Sequence, residues 1–265
     1  MIEALLRPVL SQSRFRFFVV GALYALVAGV VSFIVFKPFA SVAMVFFAAI
    51  ACIPYIQSLI EKEEESVFKF MSELSFIKEY SHVASALISL FFGLTAGFLV
   101  IGLAFPSLHG SLFSVQESTL VAISGHAVEG GAVQQILLAN AIVLLICLVL
   151  SLIFTFGSIV IITWNASVIA FALVKFITIN AAEASTLGAF TIGFARFFLH
   201  GIPEVLGFLL VGVAGGIVSV AVTHHDVGTK KWGVVMKDAL QLFIISACLI
   251  LIGALIEVFV TPILY

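Results

Sequence analysis

Long apolar runs constrain this chain more than any other feature of its sequence. Apolar residues make up 63% of the 265 residues and charged residues only 10%, whereas soluble domains have about 45–50% and about 25%. The chain lacks the charged surface of a water-soluble protein of this length, and lipid is the solvent that suits it. The prediction is an all-α polytopic membrane protein, because helices satisfy their own backbone hydrogen bonds in lipid.

The runs predict about seven transmembrane helices in one bundle, since about 20 apolar residues cross the hydrocarbon. The stretch 166–200 is ambiguous because it is too long for one untilted helix and carries polar residues. We interpret it as one span, 168–187, extended toward His200. The alternative is two half-helices broken near Asn180 and Glu183, as in a re-entrant hairpin. The predicted spans are residues 17–36, 39–60, 83–105, 136–163, 168–187, 203–222 and 239–260.

Lysine and arginine residues are unevenly distributed between the two predicted sides. With a cytoplasmic amino terminus and seven crossings, nine of the twelve fall inside, and residues 106–135 carry none. This bias is typical of an outer loop and a cytoplasmic face. We therefore predict a multi-pass protein of the cell membrane with its carboxy terminus outside. The half-helix alternative would place Lys230, Lys231 and Lys237 outside, which favours the seven-span arrangement.

One transmembrane domain, residues 1–265, is predicted, with two segments that do not cross. Residues 61–80 combine charges with apolar residues at helical spacing, which predicts an amphipathic cytoplasmic helix. The alternative is a solvated extension of the neighbouring spans. Residues 106–135 are predicted to be an outer loop without chemistry. Small residues at one-turn spacing predict close helix contacts, and they are Gly21, Ala25 and Gly29, Gly93 and Gly97, and Gly212 and Gly216.

Polar side chains at predicted bilayer depth are concentrated in the last hundred residues. A charged group there costs about 2.5–3.5 kcal/mol on insertion scales, so each is a candidate for function. His200, Glu204 and Glu257 are predicted to line a polar cavity near the outer end. The alternative for Glu204 is a capping role beside Pro203 at a helix start. The candidate binding residues are Asn165, Lys175, Asn180, Glu183, Arg196, His200, Glu204 and Glu257.

Motifs for catalysis and metal binding are absent from the sequence. It contains no His-Glu-x-x-His, no Gly-x-Ser-x-Gly and no phosphate-binding glycine-rich loop. Gly201 and Pro203 argue against His200 and Glu204 being neighbours on a regular helix. The three cysteines are far apart in apolar runs, which argues against disulfides and Cys-x-x-Cys metal sites. We predict no enzyme, no metal and no cofactor.

The motif His200-Gly-Ile-Pro-Glu204 resembles the stage II sporulation protein M family of integral membrane proteins. Further matches are Thr163-Trp-Asn-Ala-Ser167, which is similar to archaeal branches, Gly212-Val-Ala-Gly-Gly216, and residues 254–262. Together the matches span residues 164–262. The resemblance implies a membrane scaffold, because sporulating members recruit peptidoglycan-degrading partners during engulfment of the forespore. The motif positions are Asn165, His200, Gly201, Pro203, Glu204, Glu257 and Pro262.

The leading functional prediction is a non-enzymatic membrane scaffold or assembly partner. Membrane lipid surrounds such a protein, and its expected contacts are protein partners or further copies of the chain. The net charge of −2 argues against a nucleic-acid partner. The alternative function is a channel or transporter for a small solute or ion that uses the polar groups at bilayer depth. An intramembrane metal-dependent hydrolase ranks below both.

Overall fold

The apolar runs form helices in the computed structural model, which describes residues 14–67, 73–126, 132–155, 157–224 and 227–264. Short 3-10 turns at Lys37–Phe39, Pro106–Leu108 and Thr261–Leu264 follow three of the helices. The α-helices of the described residues are α1 (Arg14–Val35), α2 (Ala40–Val67), α3 (Glu73–Ala104), α4 (His109–Leu112), α5 (Ser114–His126), α6 (Ala132–Ile153), α7 (Ser158–Thr223) and α8 (Lys230–Phe259).

Seven segments of the described residues are long and apolar enough to cross a membrane, which confirms the predicted polytopic helical bundle. The predicted boundary of the fourth span was wrong. Residues 136–163 do not form one helix, because α6 ends at Ile153 and α7 begins at Ser158. Thr155 in the intervening turn has a φ of 33°, which ends the helix although the sequence there stays apolar. The seven segments are Arg14–Val35, Lys37–Ile56, Ala84–Ala104, Val133–Ile153, Ser158–Ala181, Ser185–Thr223 and Lys230–Phe259.

Helix α7 is a hairpin of two arms joined at Ser185, whose φ of 60° and ψ of 160° are not helical. A side-chain carbon added at Gly193 would meet Phe176, one at Gly201 would meet Ile169, and one at Gly212 would meet Ser158. As residue numbers rise along one arm they fall along the other, so the arms are antiparallel. We call Ser158–Ala181 the first arm and Ser185–Thr223 the second arm.

Both sequence interpretations of residues 166–200 are therefore corrected. The predicted single span 168–187 runs through the break at Ser185, and the predicted span 203–222 begins 18 residues too late. The predicted break near Asn180 and Glu183 is close to the observed break at Ser185, but the short half-helices predicted with it were wrong, since the arms contain 24 and 39 residues and each is long enough to cross. Two full crossings leave the seven-span count unchanged.

Small residues bring the helices into close contact, as their spacing predicted. A side-chain carbon at Gly93 would overlap the Phe18 carbonyl oxygen, and one at Gly97 would lie 2.7 Å from Cβ of Ala25. Gly21 and Gly93 therefore lie on facing surfaces of α1 and α3, which run parallel to each other. On the second arm, Gly212 contacts the first arm and Gly215 contacts α6.

The predicted amphipathic helix 61–80 is not a separate element in the described residues. Residues 61–67 continue α2, and residues 73–80 open α3. Residues 68–72 of the prediction lie outside the described part. The structure thus matches the alternative, in which this stretch extends its neighbouring spans.

The predicted outer loop 106–135 is largely helical. Pro106 begins a 3-10 turn, and α4 and α5 follow it up to His126, while residues 127–131 lie outside the described part. Phe113 between the two helices is fully buried, and its ring stacks on Phe171 at a centroid distance of 4.9 Å. These short helices pack at the end of the bundle where α1, α3 and α8 finish, which we call the outer end.

Candidate functional site

The second arm, α6 and α8 meet in a cluster of polar side chains near the outer end. Asn140 on α6 donates a hydrogen bond from Nδ2 to Oε1 of Glu204 at 2.6 Å. Glu257 on α8 lies one turn after Gly253, whose backbone packs against the Glu204 side chain. We call Asn140, Glu204, Glu257, His200 and Thr261 the outer polar cluster. It links three helices that are distant in the sequence.

His200 enters this cluster one helical turn before Glu204. Its Nδ1 lies 3.3 Å from the Thr261 hydroxyl, in the 3-10 turn that follows α8. Thr261 is buried and also donates to the Ile256 carbonyl oxygen at 3.3 Å. The imidazole is thus held between the second arm and the end of α8.

The second arm stays helical through Gly201 and Pro203, which corrects two sequence interpretations. His200 and Glu204 are neighbours on one helix, although Gly201 and Pro203 argued against it. Glu204 does not cap a helix start, because Pro203 lies inside the helix that begins at Ser185. Membrane helices tolerate an internal proline where neighbouring helices satisfy the freed backbone groups.

Gly253 lets α8 cross directly over the Glu204 side chain. A side-chain carbon at Gly253 would lie 2.5 Å from Cγ of Glu204 and 3.2 Å from the His200 carbonyl oxygen. A larger residue here would force α8 away from the second arm. The segment around Gly253 therefore seats residues 254–262 against the His200–Glu204 motif.

The structure brings together His200, Glu204 and Glu257 and places the other predicted site residues elsewhere. Asn165 and Asn180 each donate to the carbonyl oxygen four residues earlier on their own helix, at 2.8 Å. These two amides are therefore not aimed at the cluster. A binding role for any of the eight residues stays a prediction.

The predicted cations lie along the hairpin. Lys175 on the first arm forms an ion pair with Glu117 on α5, with 2.5 Å between Nζ and Oε1, and both side chains are about half exposed. The Arg196 guanidinium lies over the rings of Phe176 and Phe197, at 5.6 and 5.7 Å from their centroids. The Glu183 side chain lies outside the described part of the structure.

Sequence reasoning missed Asn140, because it took its candidates from the last hundred residues, and the spans before Thr163 contain no charge in their interiors. An amide inside a run of apolar residues was the available signal, since polar groups in lipid require partners.

A buried serine–glutamine–serine contact was also missed. Oε1 of Gln116 on α5 accepts a hydrogen bond from Ser41 at 2.5 Å, and its Nε2 donates to Ser167 at 3.0 Å. All three side chains are buried. This contact fastens α5 to α2 and to the first arm, and no spacing rule connects three such distant residues.

The described residues contain no group of three His, Cys, Asp or Glu side chains arranged to hold a metal ion. The outer polar cluster contains hydrogen-bond donors and acceptors from three helices, so its chemistry is suited to joining them.

The model of the stage II sporulation protein M family matches residues 85–262. This match covers α6, the hairpin α7, α8 and the whole outer polar cluster. The chain belongs to the stage II sporulation protein M family. The match extends the resemblance from residues 164–262 back into α3, and α1 and α2 precede it. Neither the curated proteins nor the solved structures contain a match to this family member.

Proposed function

We propose that this member of the stage II sporulation protein M family is a non-enzymatic membrane scaffold or assembly partner. It presents the projecting end of hairpin α7 to another protein outside the membrane. Family membership and the shape of the hairpin support this proposal. The observation that carries it is the length of the second arm.

The second arm is too long for the hydrocarbon. Its 39 residues extend about 58 Å at about 1.5 Å per residue, whereas the hydrocarbon is about 30 Å thick. Tilting the arm to fit would require far more than the usual range of about 0–40°. Part of the arm therefore projects beyond the membrane.

Pairing with α6 indicates which part projects. Asn140 lies opposite Glu204, and a side-chain carbon at Gly215 would meet Leu148, so α6 and the second arm run parallel. Helix α6 begins at Ala132, eight residues before Asn140. The corresponding position on the second arm is eight residues before Glu204, so residues 185–195 extend beyond α6. With the adjoining end of the first arm they form the outer tip, residues 178–195.

The outer tip exposes large apolar side chains. Ile179 is 73% exposed and Leu187 is 74% exposed. Exposed apolar surface outside the hydrocarbon is typical of a protein contact. At its base, the rings of Phe176 and Phe197 pack edge to face at 6.2 Å and hold the arms together. A rigid apolar projection is what a scaffold requires for docking.

A photo-crosslinking amino acid at position 187 tests this proposal in the cells that the chain comes from. The full-length protein is expressed, irradiated and purified under denaturing conditions. The matched control places the same amino acid at Ile142 of α6, which is 50% exposed but lies at bilayer depth. We expect a discrete protein adduct from position 187 and none from position 142. Leu187→Asp is expected to reduce co-purification of that partner several-fold.

Two results would overturn the scaffold proposal. One is the absence of a crosslinked adduct at position 187, provided that a cysteine placed at the same position is labelled from outside and the position is therefore accessible. The other is solute or ion flux in proteoliposomes that falls when Glu204 or Glu257 is replaced by glutamine. That flux would instead support the channel or transporter alternative.

A further inference from the structure

A small cavity lies at the opposite end of the bundle, which we call the inner end. Its walls come from α2, α3, both arms of α7 and the turn before the first arm. The space open to the centre of a water molecule is about 10 Å³, which is room for one water molecule. Its two hydroxyl side chains belong to Thr155 and Ser158, and no acidic residue lines it.

The Ser158 hydroxyl lies at this cavity and is able to form a further hydrogen bond there. Ser158 lines the cavity and is 8% exposed, and its hydrogen bond among the described residues is made by its backbone N–H, to the Ser151 hydroxyl. Gly212, which also lines the cavity, faces the Ser158 hydroxyl closely enough that a side-chain carbon there would overlap it. The second arm thus leaves open space beside the Ser158 hydroxyl.

Thr155, on the same cavity wall, is held in an unusual backbone conformation. Its φ of 33° is rare for a β-branched residue, and such strain persists only where surrounding contacts enforce it. The Thr155 hydroxyl lies 3.0 Å from the Ser219 hydroxyl on the second arm. Ser151 accepts a hydrogen bond from the Ser158 backbone N–H at 3.2 Å. The turn between α6 and α7 is therefore fastened on both sides.

We propose that a single bound water molecule fills this cavity and bridges the hydroxyls of Thr155 and Ser158. It completes a chain of hydrogen bonds from Ser158 on the first arm through Thr155 to Ser219 on the second arm. Water suits the site because it both donates and accepts hydrogen bonds, and the two hydroxyls give it polar partners in a cavity otherwise lined by Gly, Ile, Leu and Val. The bridge clamps the inner end of the hairpin across the strained turn.

The test is a structure of the full chain in lipid nanodiscs at a resolution that shows ordered water. In the wild type we expect density at hydrogen-bond distance, about 2.7–3.2 Å, from both hydroxyl oxygens. Ser158→Ala removes one of the two partners, so the density is expected to be lost. Ser246→Ala is the matched control, because this equally buried serine donates only to the Leu242 carbonyl oxygen. Its variant is expected to keep the density.

An empty cavity in the wild type would overturn the proposal, as would density that persists unchanged in Ser158→Ala. A second wild-type structure with choline as the only salt cation distinguishes water from sodium. Density that vanishes in choline would identify a bound cation and overturn the water assignment. Both wild-type measurements decide the matter even if Ser158→Ala fails to fold.

Discussion

Single neutral amide side chains join helices in this protein. Asn140 reaches Glu204 from α6, and Gln116 reaches Ser41 and Ser167 from α5. Each amide donates and accepts without the desolvation cost of a charge, so it connects helices cheaply in lipid. By contrast, the Lys175–Glu117 pair is half exposed, and such pairs contribute about 0–1 kcal/mol.

The contact between Asn140 and Glu204 gives the first prediction. Asn140→Leu removes the donor to the Glu204 carboxylate and is expected to lower the free energy of unfolding in micelles by about 1–2 kcal/mol. Asn140→Leu combined with Glu204→Leu is expected to cost less than the two single changes added together, because neither partner is then left unsatisfied. Reversible denaturant unfolding measures all three variants.

Asn165→Leu is the control for this cycle. Asn165 is also partly buried, but its amide bonds a carbonyl oxygen of its own helix. A smaller loss is therefore expected. A loss from Asn165→Leu that equals or exceeds that from Asn140→Leu would contradict the interhelical role of Asn140.

At this scale the sequence predicted part of the candidate site. His200, Glu204 and Glu257 were placed near one outer end because one predicted span begins there and another ends there, and the structure brings them together. Their partners Asn140 and Thr261 were not found, since the register between helices depends on side-chain packing. Helical spacing reports which face a residue occupies on its own helix, and says nothing of the facing helix.

Three helices end in the same way at the outer end of the bundle. Proline-containing 3-10 turns follow α1, α3 and α8, at Lys37–Phe39, Pro106–Leu108 and Thr261–Leu264. The residues before the first two turns, Phe36 and Phe105, have similar φ values of −123° and −129°. Proline favours such turns because its φ is fixed near the required value. Each of these crossings therefore has a local stop signal.

Glycine contacts between elements give the second prediction. Gly93→Ala places a carbon against the Phe18 carbonyl oxygen, so α1 and α3 must separate and the midpoint of thermal unfolding is expected to fall. The side-chain carbon that Gly233→Ala adds on α8 would have no neighbouring atom within 4 Å. There the better helix propensity of alanine is expected to stabilise the protein by up to about 1 kcal/mol. Equal effects of the two substitutions would refute the close α1–α3 contact.

Helix boundaries were harder to predict than helix existence. The break before Ser158 and the break at Ser185 both depend on backbone conformation, with positive φ at Thr155 and Ser185. Neither position carries glycine or proline, so the sequence has no strong local signal there. Hydropathy continues across the break before Ser158, where it merged two segments that the backbone separates, whereas the polar residues Asn180 and Glu183 did suggest a break close to Ser185.

Sidedness of the whole molecule gives the third prediction. In a background without Cys52, Cys147 and Cys248, a cysteine at Gly110 or Leu187 is expected to react with a membrane-impermeant maleimide on intact cells. A cysteine at Val227 is expected to react only after permeabilisation. All three positions are exposed in the structure, so reactivity reports the side of the membrane.

The opposite labelling pattern would invert the predicted orientation. Labelling of all three positions on intact cells would contradict the number of crossings between Leu187 and Val227. Charge bias alone suggested this orientation, and the seven crossings of the described residues place their two ends on opposite sides of the membrane.

The parallel contact between α1 and α3 also bears on synthesis. Gly21 contacts a backbone that lies around Gly93, 72 residues later in the chain. At about 5–20 residues per second, the ribosome needs roughly 4–14 s to make that stretch. During this interval the glycine face of α1 has no partner from α3. We therefore expect α1 and α3 to pair only after α1 has entered the membrane. An insertase or chaperone that shields small-residue faces would act on α1 first.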